Sequence, residues 1–288
     1  MKTLFVSVAA LALMAGAAQA KSDDARVEIR NAVARVVVIV EDRTDVAVEI
    51  EQGAAGLDRP QVTRRGDRVR IDGGIRNNAI RECRSGPAGT TQPGQGASVE
   101  VRGHGRVNLS DAPLIVIRTP RNVELETGGA TYGTVGRGAT SVELGMGGCG
   151  DWTVANVAGP LSLAIGGSGD IRTGTSRSLE VAIGGSGSIA SGATGDLEVS
   201  IGGSGEINVA RVDGAFEAAI GGSGDILVRA GEASRFEASV AGSGDIDFRG
   251  RAQSAEVNLV GGGDVRIQSV TGSVERNIMG GGSLTIGQ

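Results

Sequence analysis

Aromatic side chains are scarce: one Trp, one Tyr and four Phe in 288 residues, 2% of the chain. So few rings exclude the stacking platforms that hold successive bases or extended sugars. Lysine occurs only as Lys2 and Lys21, so no glycine-rich loop carries the lysine of a phosphate-binding P-loop. The single histidine, His104 in Gly103-His104-Gly105, excludes multi-histidine metal sites and paired-histidine chemistry. A Ser-His-Asp triad could use only that residue, and no Gly-x-Ser-x-Gly elbow leads into a helix. Basic charge is also in deficit. The net charge is −5, and −6 without the first twenty residues, which disfavours nucleic acid or an anionic lipid surface as partner. Beyond those twenty residues no apolar run approaches the ~20 residues that span a bilayer. An enzyme and a cofactor are therefore not expected.

What the chain has is glycine, 50 residues of it, much of it in one repeated stretch. Ile165-Gly-Gly-Ser-Gly-Asp-Ile171 recurs from Ile183, Ile201 and Ile220, and as Val240-Ala-Gly-Ser-Gly-Asp-Ile246, with weaker copies from Met146, Leu259 and Ile278. The steps between these head residues are 19, 18, 18, 19, 20, 19 and 19. A fixed period near 19 marks a solenoid or array. Before each head the apolar residues alternate, as in Leu161/Leu163/Ile165 and Leu179/Val181/Ile183, which is a strand with one buried face. Gly-Gly-Ser-Gly then supplies a tight turn, glycine reaching positive φ without steric cost. A second short strand follows, as in Ile207/Val209 and Ile226/Val228. About 19 extended residues at ~3.3 Å each make a closed path of roughly 60 Å, one turn of a parallel β-helix. The predicted fold is thus all-β: a single-stranded parallel β-helix with coils of 18–20 residues, right-handed by the crossover rule. One unit cannot bury enough surface to fold alone, so neighbours must share core and hydrogen bonds.

The chain opens on a secretory signal peptide over residues 1–20: Lys2, an apolar core from Leu4 to Met14, and Ala18-Gln19-Ala20 as the cleavage site. Lys21, not Cys, follows the cut, so no acylated lipoprotein is expected. The mature chain is expected in the periplasm or outside the cell. Residues 21–122 are less regular and hold 16 of the 26 arginines. They read as irregular, β-rich opening coils that cap the solenoid, with a long loop over 77–96; a separate small β-sandwich is the alternative. Residues 123–288 are the regular repeats. Cys83 and Cys149 form one disulfide, as an exported chain with two cysteines favours, or remain two free thiols.

Two acidic ladders run through the repeats. The first follows the glycine turns: Asp151, Asp170, Glu206, Asp225, Asp245 and Asp264, with Ser188 as a gap. Asp170, Asp225, Asp245 and Asp264 are candidate calcium ligands, by analogy with the glycine- and aspartate-rich repeats of RTX rolls. The turn here is one residue shorter, however, and occurs once per coil rather than twice. The structural reading, that each carboxylate caps backbone N–H groups of its own turn, is preferred. The second ladder lies on outward positions of the first strand: Glu124, Glu143, Glu180, Glu198, Glu217, Glu237, Glu256 and Glu275, with Ser162 as its gap. Glutamate is a poor strand residue, so this ladder is either a solubilising surface averse to sheet stacking or a docking stripe for a basic partner. Tyr132 and Trp152, one coil apart at similar phase, are a candidate sugar-stacking patch or, more simply, core. Arg172, Arg229, Arg249 and Arg266 near the acidic turns are what a polysaccharide lyase would need, but repetition makes every coil alike where an active site is a local exception. The final coil presents Leu284 and Ile286 on a strand without an evident cap, which predicts end-to-end pairing of two copies.

The tandem Ile-Gly-Gly-Ser-Gly-Asp-Ile motif, after a β-rich opening and Ile117-Arg-Thr-Pro120, resembles the auto-transporter-adhesin head GIN domain family over roughly 27–288, most strongly over 144–248. The resemblance implies an exported bacterial β-solenoid with no catalytic residues to carry over. It makes a non-catalytic adhesin-like binding or structural module of the cell envelope the leading expectation, with an envelope protein or polysaccharide as partner. A carbohydrate-binding or polysaccharide-processing β-helix is the alternative.

Overall fold

The structure, a computed structural model, describes residues 26–87 and 92–287. The expected signal peptide, and residues 88–91 of the expected loop, lie outside them. The protein is an all-β parallel solenoid of about nine turns. Each regular turn contributes two strands joined by the glycine-rich step, as in Pro160–Ile165 with Asp170–Thr173 and Ser178–Ile183 with Ser188–Thr194. Successive coils pair in register, so the sequence repeat becomes columns in space. Leu161, Leu179, Leu197, Phe216 and Phe236 lie one above another, and so do Ile165, Ile183, Ile201, Ile220 and Val240. A slip of one residue would turn a whole apolar set to solvent, which pins this register. Where the columns reach Phe216 and Phe236 the rings stack with centroids 4.5 Å apart, and Phe248 closes against them at 5.7 and 5.5 Å.

The turn glycines of the central coils have a reason beyond the one the sequence suggests. At Gly185 and Gly203 φ lies outside the left-handed region. A Cβ there would instead lie 2.0 and 2.1 Å from the carbonyl oxygen of the corresponding glycine one coil back. Close stacking of backbone on backbone excludes a side chain at Gly185 and Gly203, and in other coils the equivalent Gly129, Gly261 and Gly280 also take positive φ, at +98, +130 and +129. The preceding glycines, Gly184 and Gly202, have nothing nearer than 4.0 Å.

The first part of the chain is not a succession of opening coils. Strand β1 (Arg26–Val40) runs parallel to β9 (Asn122–Val135) along nearly its whole length. Its other edge is covered by two shorter parallel strands, β4 (Arg68–Asp72) on Arg26 to Arg30 and β8 (Leu114–Thr119) on Arg35 to Val40. The chain therefore lays down β1, builds the outer rung β4/β8 beyond it, then passes back to continue at β9. Two antiparallel strands finish this end: β2 (Ala47–Glu51) on β8 and β3 (Gln61–Arg65) on β4. Val27, Ile29, Val69, Ile71, Ile115 and Ile117 belong to the same continuous core as the repeats, so these rungs are not a separate sandwich.

Between β4 and β8 the chain leaves the solenoid and forms a three-stranded antiparallel sheet of β5 (Ile80–Arg84), β6 (Ser98–Val101) and β7 (Gly105–Asn108). Part of the expected loop 77–96 is thus a short 3-10 turn, Asn77–Ala79, and strand β5. This side sheet has its own small core, in which Val99, Val101, Val107 and Leu109 pack with Val33, Ala130 and Tyr132 of the solenoid's outer surface.

Candidate functional site

The aspartate ladder is a structural device, but not within single turns. Asp225 Oδ1 accepts the N–H of Asp245 at 3.0 Å, Asp245 Oδ1 that of Asp264 at 2.8 Å, and Asp264 Oδ1 that of Ser283 at 3.0 Å. Each carboxylate thus ties its own coil to the next. Asp170 accepts the Ser188 hydroxyl instead, so the serine gap is itself bonded into the ladder. Asp264 also takes the Ser283 hydroxyl, at 2.7 Å; that bond, with the backbone N–H and nearby Arg266, holds its carboxyl below the usual range. The opposite turn repeats the device, with Asn156 and Asp196 accepting N–H groups of Thr175 and Ala215 at 3.0 and 2.8 Å. Among the described residues no three His, Cys, Asp or Glu are grouped to hold a metal ion. Asp225→Ala is expected to lower stability by about 1 kcal/mol. Asp225→Asn, which keeps a carbonyl acceptor, should lose less in urea unfolding.

The glutamate ladder is of another kind. Glu124 stands opposite Glu143, which faces Ser162, and Glu180, Glu198, Glu217, Glu237, Glu256 and Glu275 continue the column in register. At the ~4.8 Å strand spacing, neighbouring carboxylates repel by about 1 kcal/mol even in bulk water. Glu124 pairs with Arg26 and Glu237 with Arg235, and Asn258 donates to Glu256 at 3.4 Å. Among the described residues the side chains of Glu143, Glu180, Glu198, Glu217 and Glu275 have no hydrogen bond or ion pair, and all five are exposed. Beside them runs a column of small residues: Gly145, Ala164, Ala182, Ser200, Ala219 and Ser239. The result is a flat sheet face with one raised acidic row and a shallow groove of about 160 Å³ along Glu198, Glu217, Glu237 and Glu256.

Near the other end a larger cleft of about 880 Å³ opens between β5 and the turns at Gly128-Gly129 and Gly147-Gly148. The Cys83–Cys149 disulfide, with Cα atoms 6.3 Å apart, joins its two walls. Ser85 donates to Asp151 at 2.9 Å, and the Tyr132 hydroxyl donates to the Arg84 carbonyl at 3.3 Å. Burial pushes the Asp151 carboxyl up and neighbouring Asp170 adds to this, against the Ser85 hydrogen bond and Arg172. The Tyr132 phenol is also raised, first by burial and then by Asp151 and Asp170.

Glu28, 4% exposed, lines the same cleft and is held by Arg30 and by Arg70 Nε at 2.9 Å. Burial alone would raise its carboxyl; the two guanidinium groups outweigh it and hold the group below its ordinary value. With the folded value depressed, the unfolded chain takes up the proton first as pH falls. The stabilisation is full above the unfolded value of about 4.3 and is lost as pH falls through the folded one. The gap in melting temperature between wild type and Glu28→Gln should accordingly be widest near neutrality and narrow in acid.

Tyr132 and Trp152 do not form a shared surface. Register sets Trp152 opposite Gly133, not Tyr132, so the two rings point to opposite faces of the sheet. Trp152, 0% exposed, lies over Gly133 in the solenoid core and donates to the Thr131 hydroxyl at 3.3 Å; Tyr132, 1% exposed, fills the core under the side sheet. Neither can stack on a sugar. Of the four arginines of the lyase reading, Arg229, Arg249 and Arg266 lie on successive coils, but Arg249 is paired with Asp247 at 2.8 Å and Arg266 with Asp264 at 3.2 Å, and Arg172 lies several coils away. His104 is exposed in the turn between β6 and β7.

Residues 190–287 match the family described as "Putative auto-transporter adhesin, head GIN domain". The matched span is narrower than the resemblance over 27–288 and takes in the later coils; the threaded rungs and the side sheet fall outside it. The fold is similar to the crystal structure of a putative adhesin from Parabacteroides distasonis, covering 90% of this chain and 91% of that one, with a TM-score of 0.53 at 13% identity. A putative cell adhesion protein from Clostridium sporogenes aligns over 92% of this chain and 93% of its own, at 9% identity and a TM-score of 0.18. No curated protein matches the sequence. Among the described residues no helix is long and apolar enough to cross a membrane.

Proposed function

We propose that the protein is an exported, non-catalytic, adhesin-like binding module of the bacterial cell envelope, and that the glutamate face is its working surface. The observation that supports this most is the contrast between the two ladders. Asp225, Asp245 and Asp264 spend an oxygen on a backbone N–H of the next coil, whereas Glu180, Glu198 and Glu217, on three successive coils, have no side-chain partner and repel one another. A partner that brings cations along the column relieves that repulsion, and an extended basic segment matches both the spacing and the flatness of the face. The adhesin-like family gives the same direction, since such proteins bind other molecules.

Calorimetry with a flexible Arg/Gly peptide, and with neutral and acidic envelope polysaccharides, tests the reading. The peptide is expected to bind in a salt-dependent manner. The triple variant Glu198→Gln, Glu217→Gln, Glu237→Gln is expected to weaken it about tenfold, some 1.4 kcal/mol. Polysaccharide binding that is equally strong in the variant would overturn the basic-partner reading in favour of a carbohydrate-binding module. The proposal includes end-to-end pairing through the last coil, where Val274, Met279 and Ile286 are exposed. A monodisperse monomer in light scattering would remove that part.

A further inference from the structure

Strands β3 and β4 form a hairpin at the end of the stack, remote in sequence from the glutamate column and independent of the reading above. Their register closes on the pair Arg65↔Arg68, leaving Gly66 and Asp67 as a two-residue turn. Gly66 has φ +58 and takes the first central place, where such a turn calls for glycine. Its notional Cβ would meet nothing within 4 Å, so the tip stands clear of the rest of the molecule. Every residue from Gln61 to Arg68 is exposed. Among the described residues the side chains of Arg65, Asp67 and Arg68 have no hydrogen bond or ion pair. Arg64, by contrast, points back and donates to the Val46 carbonyl at 2.8 Å.

The tip is therefore the tripeptide Arg65-Gly66-Asp67, held in a strand-anchored turn whose two charged side chains have no polar partner in the fold. Its two charged ends have distinct chemistries. A free carboxylate is a hard oxygen ligand able to complete the coordination of a divalent cation bound elsewhere. A guanidinium offers a planar fork for a carboxylate pair. The glycine between them lets another surface approach the backbone closely. Because the hairpin already fixes the loop, binding would cost little further ordering.

We infer that the β3–β4 tip is a recognition loop for a receptor that takes Asp67 on a protein-held divalent cation and Arg65 in an acidic pocket. The net-negative body of the protein makes simple attraction to a polyanion the lesser reading, and the test separates the two. The probe is an immobilised integrin-class receptor ectodomain, which binds Arg-Gly-Asp by such a pair of contacts, with the whole mature chain flowed over it. Saturable binding is expected with manganese present, lost in chelator and displaced by a cyclic Arg-Gly-Asp peptide. Asp67→Glu keeps the charge but moves the carboxylate by one methylene; it is expected to weaken binding by about tenfold or more, a step of 1.4 kcal/mol. The melting temperature should not change, since Asp67 touches nothing. Absence of saturable binding overturns the inference, and so does binding indifferent to chelator or retained in Asp67→Glu, which would mark a merely basic patch.

Discussion

Gly203→Ala is expected to lower stability by about 3 kcal/mol, the upper end of what overpacking costs, whereas Gly202→Ala next to it should stay within about 0.5 kcal/mol. The two differ only in what lies one coil back. A methyl on Gly203 would sit 2.1 Å from the Gly185 carbonyl oxygen and 3.0 Å from that of Gly184, both fixed in backbone that cannot retreat without opening the inter-coil ladder. A methyl on Gly202 would lie 4.0 Å from the Ile183 oxygen, an ordinary contact. Chemical denaturation of the paired variants measures the difference. Equal effects would mean that φ, and not stacking, sets the need for glycine here.

Removing the disulfide with Cys83→Ser and Cys149→Ser together is expected to cost about 4 kcal/mol, the chain-entropy value for a loop of its length. The bridge spans 66 positions in sequence and connects the side sheet to the solenoid turn. Loss should appear first as faster amide exchange in β5, β6 and β7, because on the cleft side Ser85–Asp151 and Tyr132–Arg84 are then the polar ties left between β5 and the solenoid. An unchanged unfolding midpoint would show that Val99, Val101, Val107 and Leu109 hold the side sheet on Tyr132 unaided.

The repeats were legible because the information is local and repeated. A period near 19, alternation before each glycine step and the recurring Ile heads predict the columns that register then produces. The threading of β1 was not, since its partners β4, β8 and β9 lie far along the chain and share no repeat with it. Asp225 was expected to bond within its turn, as turn aspartates do by a short-range rule; the donor it uses is 20 residues away and becomes visible only once coils are stacked. Tyr132 and Trp152 could have been placed from the sequence. They are 20 residues apart, and a step of 19 sets Trp152 against Gly133, so the one-residue excess turns Tyr132 to the other face. The Arg65-Gly66-Asp67 tripeptide was equally readable, but its exposure depended on a hairpin that the periodicity does not reach.

Strand β1 has a neighbour on each edge, β4 and β8 on one side and β9 on the other. A force applied along it loads these bonds together, in shear, because they lie across the direction of pull. The outer strand β3, paired on one side only, would give way bond by bond, like a zip. A molecule held under tension through its first strand would therefore resist until three neighbouring strands yielded at once, and could lose the outermost strand β3 to wear without letting go.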